Sequence, residues 1–178
     1  MKRWIIAALA AISLAAGEEE AKIEGWKVLD GSWTKRGDAI ATEGGHLQYD
    51  GEVGDSITIK CEIKVSKWYD TRKCNMAVLW AVEPEEGNYN KRCDVVIWPD
   101  KISCKLRTDS PSGFNIKNMP LVVKEGQKIP VSIKLTRNRA QIKVGKFTIA
   151  EPCKVSKIGP VMLHAWQAAG EFSKLKIE

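Results

Sequence analysis

The chain has 178 residues, 44% of them hydrophobic, which is enough for one domain with a substantial core. Twenty-eight Lys and Arg stand against 22 Asp and Glu, a formal charge of +6. The cations are spread along the chain with no polybasic run, which excludes the clustered footprint of a nucleic-acid-binding surface.

The chain opens with Lys2 and Arg3, then an apolar run from Trp4 to Ala16 that is too short to span a bilayer as a mature helix. Ala15, Ala16 and Gly17 supply the small residues that signal peptidase cuts beside, and a polar GEEE segment follows. Residues 1–17 therefore read as a cleaved secretory signal. The expected location is the periplasm or outside the cell, with no membrane attachment once the signal is removed. No cysteine follows the apolar run, so a lipid anchor is not expected.

From Trp26 onward one strand pattern follows another. In ITIKCEIKV, Ile57, Ile59, Cys61, Ile63 and Val65 alternate with Thr58, Lys60, Glu62 and Lys64, the mark of a half-buried strand. Met76 to Val82 is apolar on both faces and predicts a central strand covered on both sides. Val95–Trp98 and Ile102–Leu106 predict a hairpin turning at Pro99-Asp100. Val131, Ile133 and Leu135 predict a strand that turns at Arg137-Asn138-Arg139 and returns through Ile142 and Val144. The last two strands are Val161–Trp166 and Phe172–Ile177. Turn signals recur at Asp30-Gly31, Gly44-Gly45, Asp50-Gly51, Pro111-Ser112-Gly113, Glu125-Gly126 and Ala169-Gly170. No helical period of useful length follows the signal. Many short strands with regular turns predict an all-β sandwich or barrel, with no internal repeat and no linker.

There are five cysteines, Cys61, Cys74, Cys93, Cys104 and Cys153, so at least one stays unpaired. Export permits disulfides. Cys93 and Cys104 fall on one face of the predicted hairpin and form the disulfide candidate. Metal ligation is not expected, because no C-x-x-C pair occurs and His46 and His164 lie in separate segments. No oxygen-ligand loop motif for calcium stands out, and no cofactor is implied. The acidic cluster Glu83-Pro84-Glu85-Glu86 reads as a solvated loop.

Trp26, Asp30, Gly31 and Trp33, then Gly44 and Gly45, then Glu62 and Ser66, follow a W, DG-W, G-G, E-x-x-x-S order. The closing VMLHAWQ and AAGEFSKLKIE segments match an I-G-L-Q strand, a turn and a V-x-F-x-N-I-x-I strand. In these features the chain resembles the concanavalin A-like jelly-roll domains of the 3-keto-disaccharide hydrolase-like type. The resemblance implies a two-sheet antiparallel jelly-roll sandwich over residues 18–178. The middle departs from the pattern. Asp94 stands where those domains carry a glutamate, Val96 where they carry glutamine, and Ala81 where they carry arginine. The paired carboxylates that glucanases of this fold carry as E-x-D-x-E are absent from the sequence.

One sheet of such a jelly roll exposes a concave face. Strand alternation assigns to it Met162, His164 and Trp166; the resemblance at Asp94 and Ala81 implies that Arg92, Asp94, Val96 and Trp98, and Ala77, Leu79 and Ala81, whose small side chains would leave room above them, face it too. Trp68 and Tyr69 would form a rim. Trp26, Trp33 and Trp80 belong to the core. Aromatic rings for sugar C–H faces and planar polar groups for hydroxyls are the residue types of a carbohydrate site. The expected function is therefore a secreted carbohydrate-binding domain using Arg92, Trp98, Trp166, Trp68 and Tyr69. The alternative is a hydrolase or lyase on 3-keto-glycosides, with His164 as acid or base and Asp94 as its charged partner. A second alternative is a structural or protein-binding envelope domain.

Overall fold

The computed structural model describes residues 23–70, 72–81, 92–108, 113–155 and 157–178. The signal segment and the Glu83–Glu86 cluster lie outside the described residues. The described residues form twelve strands: β1 (Trp26–Arg36), β2 (Ala39–Tyr49), β3 (Ser56–Trp68), β4 (Asn75–Ala81), β5 (Arg92–Ile97), β6 (Lys101–Arg107), β7 (Phe114–Pro120), β8 (Lys128–Thr136), β9 (Arg139–Val144), β10 (Phe147–Pro152), β11 (Val161–Trp166) and β12 (Ala168–Ile177). Every pairing is antiparallel.

The strands form two leaves that fork from β2. Its first half, Ile40–Thr42, pairs with β12, and its second half, Gly45–Gln48, pairs with β11. One leaf continues β12-β3-β8-β9-β10 and the other β11-β4-β5-β6-β7. Strand β1 pairs along the length of β2 and spans both. On the far side the two outer strands approach, with Lys117 Nζ of β7 3.0 Å from Glu151 Oε1 of β10.

The main core lies between the leaves. Ile57, Ile59, Cys61, Ile63 and Val65 of β3 meet Met76, Val78 and Trp80 of β4 and Cys93, Val95 and Ile97 of β5 there. Trp80 is buried, as is Trp33, whose ring stacks on Phe172 at 6.2 Å. Trp26 is half-buried against Tyr49 at 5.4 Å. Strands β7 and β10 escape the alternation pattern because they are outer strands. Phe114–Pro120 buries little and ends on proline, so no apolar period marks it.

Three expected turns are instead strand interiors. Asp30-Gly31 lies within β1 and Gly44-Gly45 within β2, where Gly31 pairs with Gly45. Ala169-Gly170 lies in β12, and the reversal falls at Gln167, with φ of 48°. The glycines serve close approach rather than turning. A Cβ on Gly31 would sit 2.0 Å from the Gly44 carbonyl oxygen, and one on Gly45 would sit 2.3 Å from that of Asp30. Both residues have positive φ, 80° and 112°.

The Cys93–Cys104 pairing is also corrected. Both residues face the main core, as alternation requires, but the register sets Cys104 opposite Val95. The Cys93 sulfur instead faces Cys153, 3.9 Å away, and all five cysteines are free and buried.

Gly31→Ala should therefore destabilise the fold by about 2 kcal/mol or more, from the clash and the left-handed backbone together. Equilibrium urea unfolding measures it. A loss no larger than that of an exposed Ala substitution would mean that β1 and β2 tolerate separation.

Candidate functional site

The outer face of the β11-β4-β5-β6 leaf takes every second residue of those strands. Cross-strand rows follow from the register. His46, His164, Ala77, Val96 and Ser103 form one row. Gln48, Met162, Leu79, Asp94 and Lys105 form the next. On the other side of the histidine row, Trp166 pairs with Asn75. His164, Trp166, Asp94 and Trp98 thus share one face.

The floor of that face is not an open trough. Ala77, Leu79, Val96 and Met162 are each 9% exposed or less and form a second apolar cluster. Leu29 and Trp98 pack against it. Leu29 is available because β1 carries an extra residue between Val28, opposite Leu47, and Asp30, opposite His46. This bulge sends Asp30 onto His46. The His46 backbone N–H donates to Asp30 Oδ1 at 2.7 Å, and His46 Nδ1 lies 3.0 Å from Oδ2. A carboxylate can only accept, so the Nδ1 proton of His46 points at Asp30.

The His46 ring lies against that of His164, with centroids 4.4 Å apart and planes 32° apart. His164 is buried, and its Nδ1 has no hydrogen-bond partner among the described residues. Burial first, then the nearby positive charge of His46 and Arg92, pushes its pKa down to about 4. The partner of His164 is thus the His46–Asp30 pair and not Asp94. Asp94 stands in the neighbouring row and two strands away, opposite Leu79. Its carboxylate is 4.0 Å from Arg92 Nε. Burial raises its pKa to about 6, against the opposing pull of Arg92 and Lys105.

The aromatic candidates separate. Trp166, at 53% exposure, stands out from the sheet. Tyr69, 47% exposed, donates its backbone N–H to the Gln167 carbonyl at 2.9 Å, so both rings belong to the end of the domain where β11 turns into β12. Trp98 is half-buried on the apolar floor, with Lys101 Nζ 5.6 Å from its ring and its buried Nε1 lacking a partner among the described residues. Trp68 is not a rim residue. It ends β3, its indole packs on the main core, and its Nε1 donates to the Val123 carbonyl at 3.4 Å.

Alternation alone did not reveal Asp30 and His46 as parts of this face. The sequence signal is D-G and, later, G-G-H, whose glycines pair across β1 and β2 beside the bulge that joins the acid to the histidine. No group of three or more His, Cys, Asp or Glu side chains among the described residues could hold a metal ion.

No protein-family model matches the sequence, and no curated protein matches it. Solved structures do. The carbohydrate-binding module CBM66 from Bacillus subtilis superposes with a TM-score of 0.64 at 14% identity, over 86% of this chain and 95% of that one. An alginate lyase from Pseudomonas aeruginosa gives 0.61 at 11% identity, over 84% and 86%. A glycosidic hydrolase gives 0.58 at 9%, over 86% and 88%. These likenesses establish the fold: the chain is a concanavalin A-like jelly-roll sandwich.

His164 and Asp94 should oppose each other in acid. The depressed pKa of His164 contributes stability that is present above about 6.5 and lost as pH falls through about 4. The raised pKa of Asp94 works the other way: its contribution is present below about 3.8 and lost as pH rises through about 6. Unfolding free energy measured from pH 7 to 4 should fall more steeply in Asp94→Asn than in wild type, and less steeply in His164→Gln. Parallel profiles for all three proteins would exclude both assignments.

Proposed function

We propose that this is an exported carbohydrate-binding jelly-roll domain that takes a glycan at the Trp166 end of the β11-β4-β5 face. The observation that carries the reading is Trp166 itself. Its strand predecessors Val161 to Ala165 are all buried, yet its indole stands 53% exposed. An isolated flat ring held on a rigid strand is a stacking platform for a pyranose C–H face. Tyr69 adds a second exposed ring at the same end. Arg92, partly exposed on the same face, supplies a polar group for hydroxyls. One structural neighbour is a carbohydrate-binding module and another an alginate lyase, which agrees in kind with a glycan ligand. The signal-like start supports export to the periplasm or beyond.

A second reading is favoured by Asp30, His46 and His164. A carboxylate that fixes a histidine, whose ring rests on a second histidine kept neutral, is an arrangement suited to proton transfer. In a hydrolase or lyase acting on 3-keto-glycosides, Asp30 takes the orienting part first expected of Asp94. Wild-type turnover of such a substrate, abolished in His46→Ala with the melting temperature kept, is the expected result of this reading. An inert wild type removes it.

For the binding reading, Trp166→Ala should weaken glycan affinity by about 1 kcal/mol, roughly fivefold, in titration calorimetry. Its melting temperature should stay within a few degrees of wild type, because the ring is not in the core. A core tryptophan would cost about 3 kcal/mol or more. A wild type that retains no glycan on an array or affinity gel sinks the proposal, and points to the structural or protein-binding role.

A further inference from the structure

The two leaves are joined at β1–β2 on one side, and elsewhere a short segment also hydrogen-bonds to both of them. That segment follows β10. Cys153 N–H donates to the Asn138 carbonyl at 3.1 Å and Val155 N–H to the Arg137 carbonyl at 2.9 Å, both at the β8–β9 turn of one leaf. Between them, Lys154 N–H donates to the Arg107 carbonyl at 3.1 Å, at the end of β6 in the other leaf. The segment is therefore a backbone seam between the leaves.

Cys153 opens this seam and its side chain is buried. Its sulfur lies 3.9 Å from that of Cys93, which sits on β5 of the opposite leaf. The Cys93 sulfur also accepts from the Arg107 backbone N–H at 3.2 Å. We infer that Cys93 and Cys153 are a cross-link site, oxidised to a disulfide that ties the two leaves together along this seam.

The geometry favours this pair over the others. Two thiols in van der Waals contact need to close by about 2 Å to reach bonding distance. Cys93 is fixed within a sheet, but Cys153 lies just past the end of β10, where a small backbone shift and a rotamer change bring its sulfur closer. Cys61 and Cys74 are buried elsewhere in the core, and Cys104 faces Val95 across the β5–β6 pair. Cys153, outside the sheet, is the sulfur placed to meet a donor first, and Cys93 is the thiol that resolves.

The oxidant is a disulfide donor, either glutathione disulfide or a protein of the dithiol-disulfide oxidase class. The Cys153 thiolate attacks one donor sulfur and forms a mixed disulfide, releasing the first donor thiol. Cys93 loses its proton and attacks the Cys153 sulfur, expelling the second. Two protein thiols become one disulfide, and the donor disulfide becomes two thiols. Both sulfurs are buried once the leaves meet, so the exchange takes place before the seam closes or when it opens.

The test does not depend on the cellular location. The full chain is reduced, unfolded, refolded in a mixture of oxidised and reduced glutathione, alkylated, and mapped by mass spectrometry. Cys61, Cys74 and Cys104 should be alkylated, and the peptides bearing Cys93 and Cys153 should be linked, with an intact mass lower by two hydrogens. Adding reductant should lower the melting temperature by about 10 °C. Cys153→Ser should leave every remaining cysteine alkylated. Five alkylated cysteines in wild type, or a linked pair containing Cys61, Cys74 or Cys104, overturns the assignment. The wild-type map decides the matter even if the variant fails to fold.

Discussion

The structure depends on how closely β1 and β2 approach at Gly31 and Gly45. With a side chain at either position the backbones could not pack as they do. That contact lets β2 bend enough to pair with β12 in its first half and β11 in its second. One strand thereby belongs to both leaves, and the sandwich has a closed side. The same contact shapes the neighbouring register. The extra residue on β1 moves Asp30 beside His46 and turns Leu29 onto the outer face, next to this contact.

On the outer face, burial and charge act against each other. His164 is neutral at neutral pH because its charged form would be desolvated beside His46 and Arg92. Asp94 keeps a carboxylate whose ionisation is costly but supported by Arg92 and Lys105. Two groups with opposite burial penalties, one row apart, make opposing contributions to stability across mildly acidic conditions. The apolar floor between them makes this possible, since it excludes water without offering counter-charges.

Much of the fold is legible in the sequence because most strands have one face in the core. β3, β8 and β9 alternate cleanly and their registers follow, and the double-sided apolar pattern of β4 marks a central strand. The outer strands β7 and β10 lack that constraint, so their sequences carry no period. The site was legible only as parity. Which residues share a face could be read for β5 and β11. Which of them touch could not, because contact depends on pairing order and on bulges that a one-dimensional pattern does not encode. The glycine pairs were visible but equally consistent with turns. Trp68 was misplaced because strand β3 runs through it to the end of the core, which only the length of its partner strands determines.

The last strands of the chain lie in the middle of the sheets. β11 sits between β2 and β4, and β12 between β2 and β3. A nascent chain that has emerged only as far as β10 therefore has neither leaf attached to β2, and its two halves have nothing to align them. Completion of the sandwich awaits β11 and β12, and the long separation between β2 and its partners makes the closing step slow. Loss of β11 and β12 would therefore separate both leaves from β2 at the centre of the domain instead of trimming its margin.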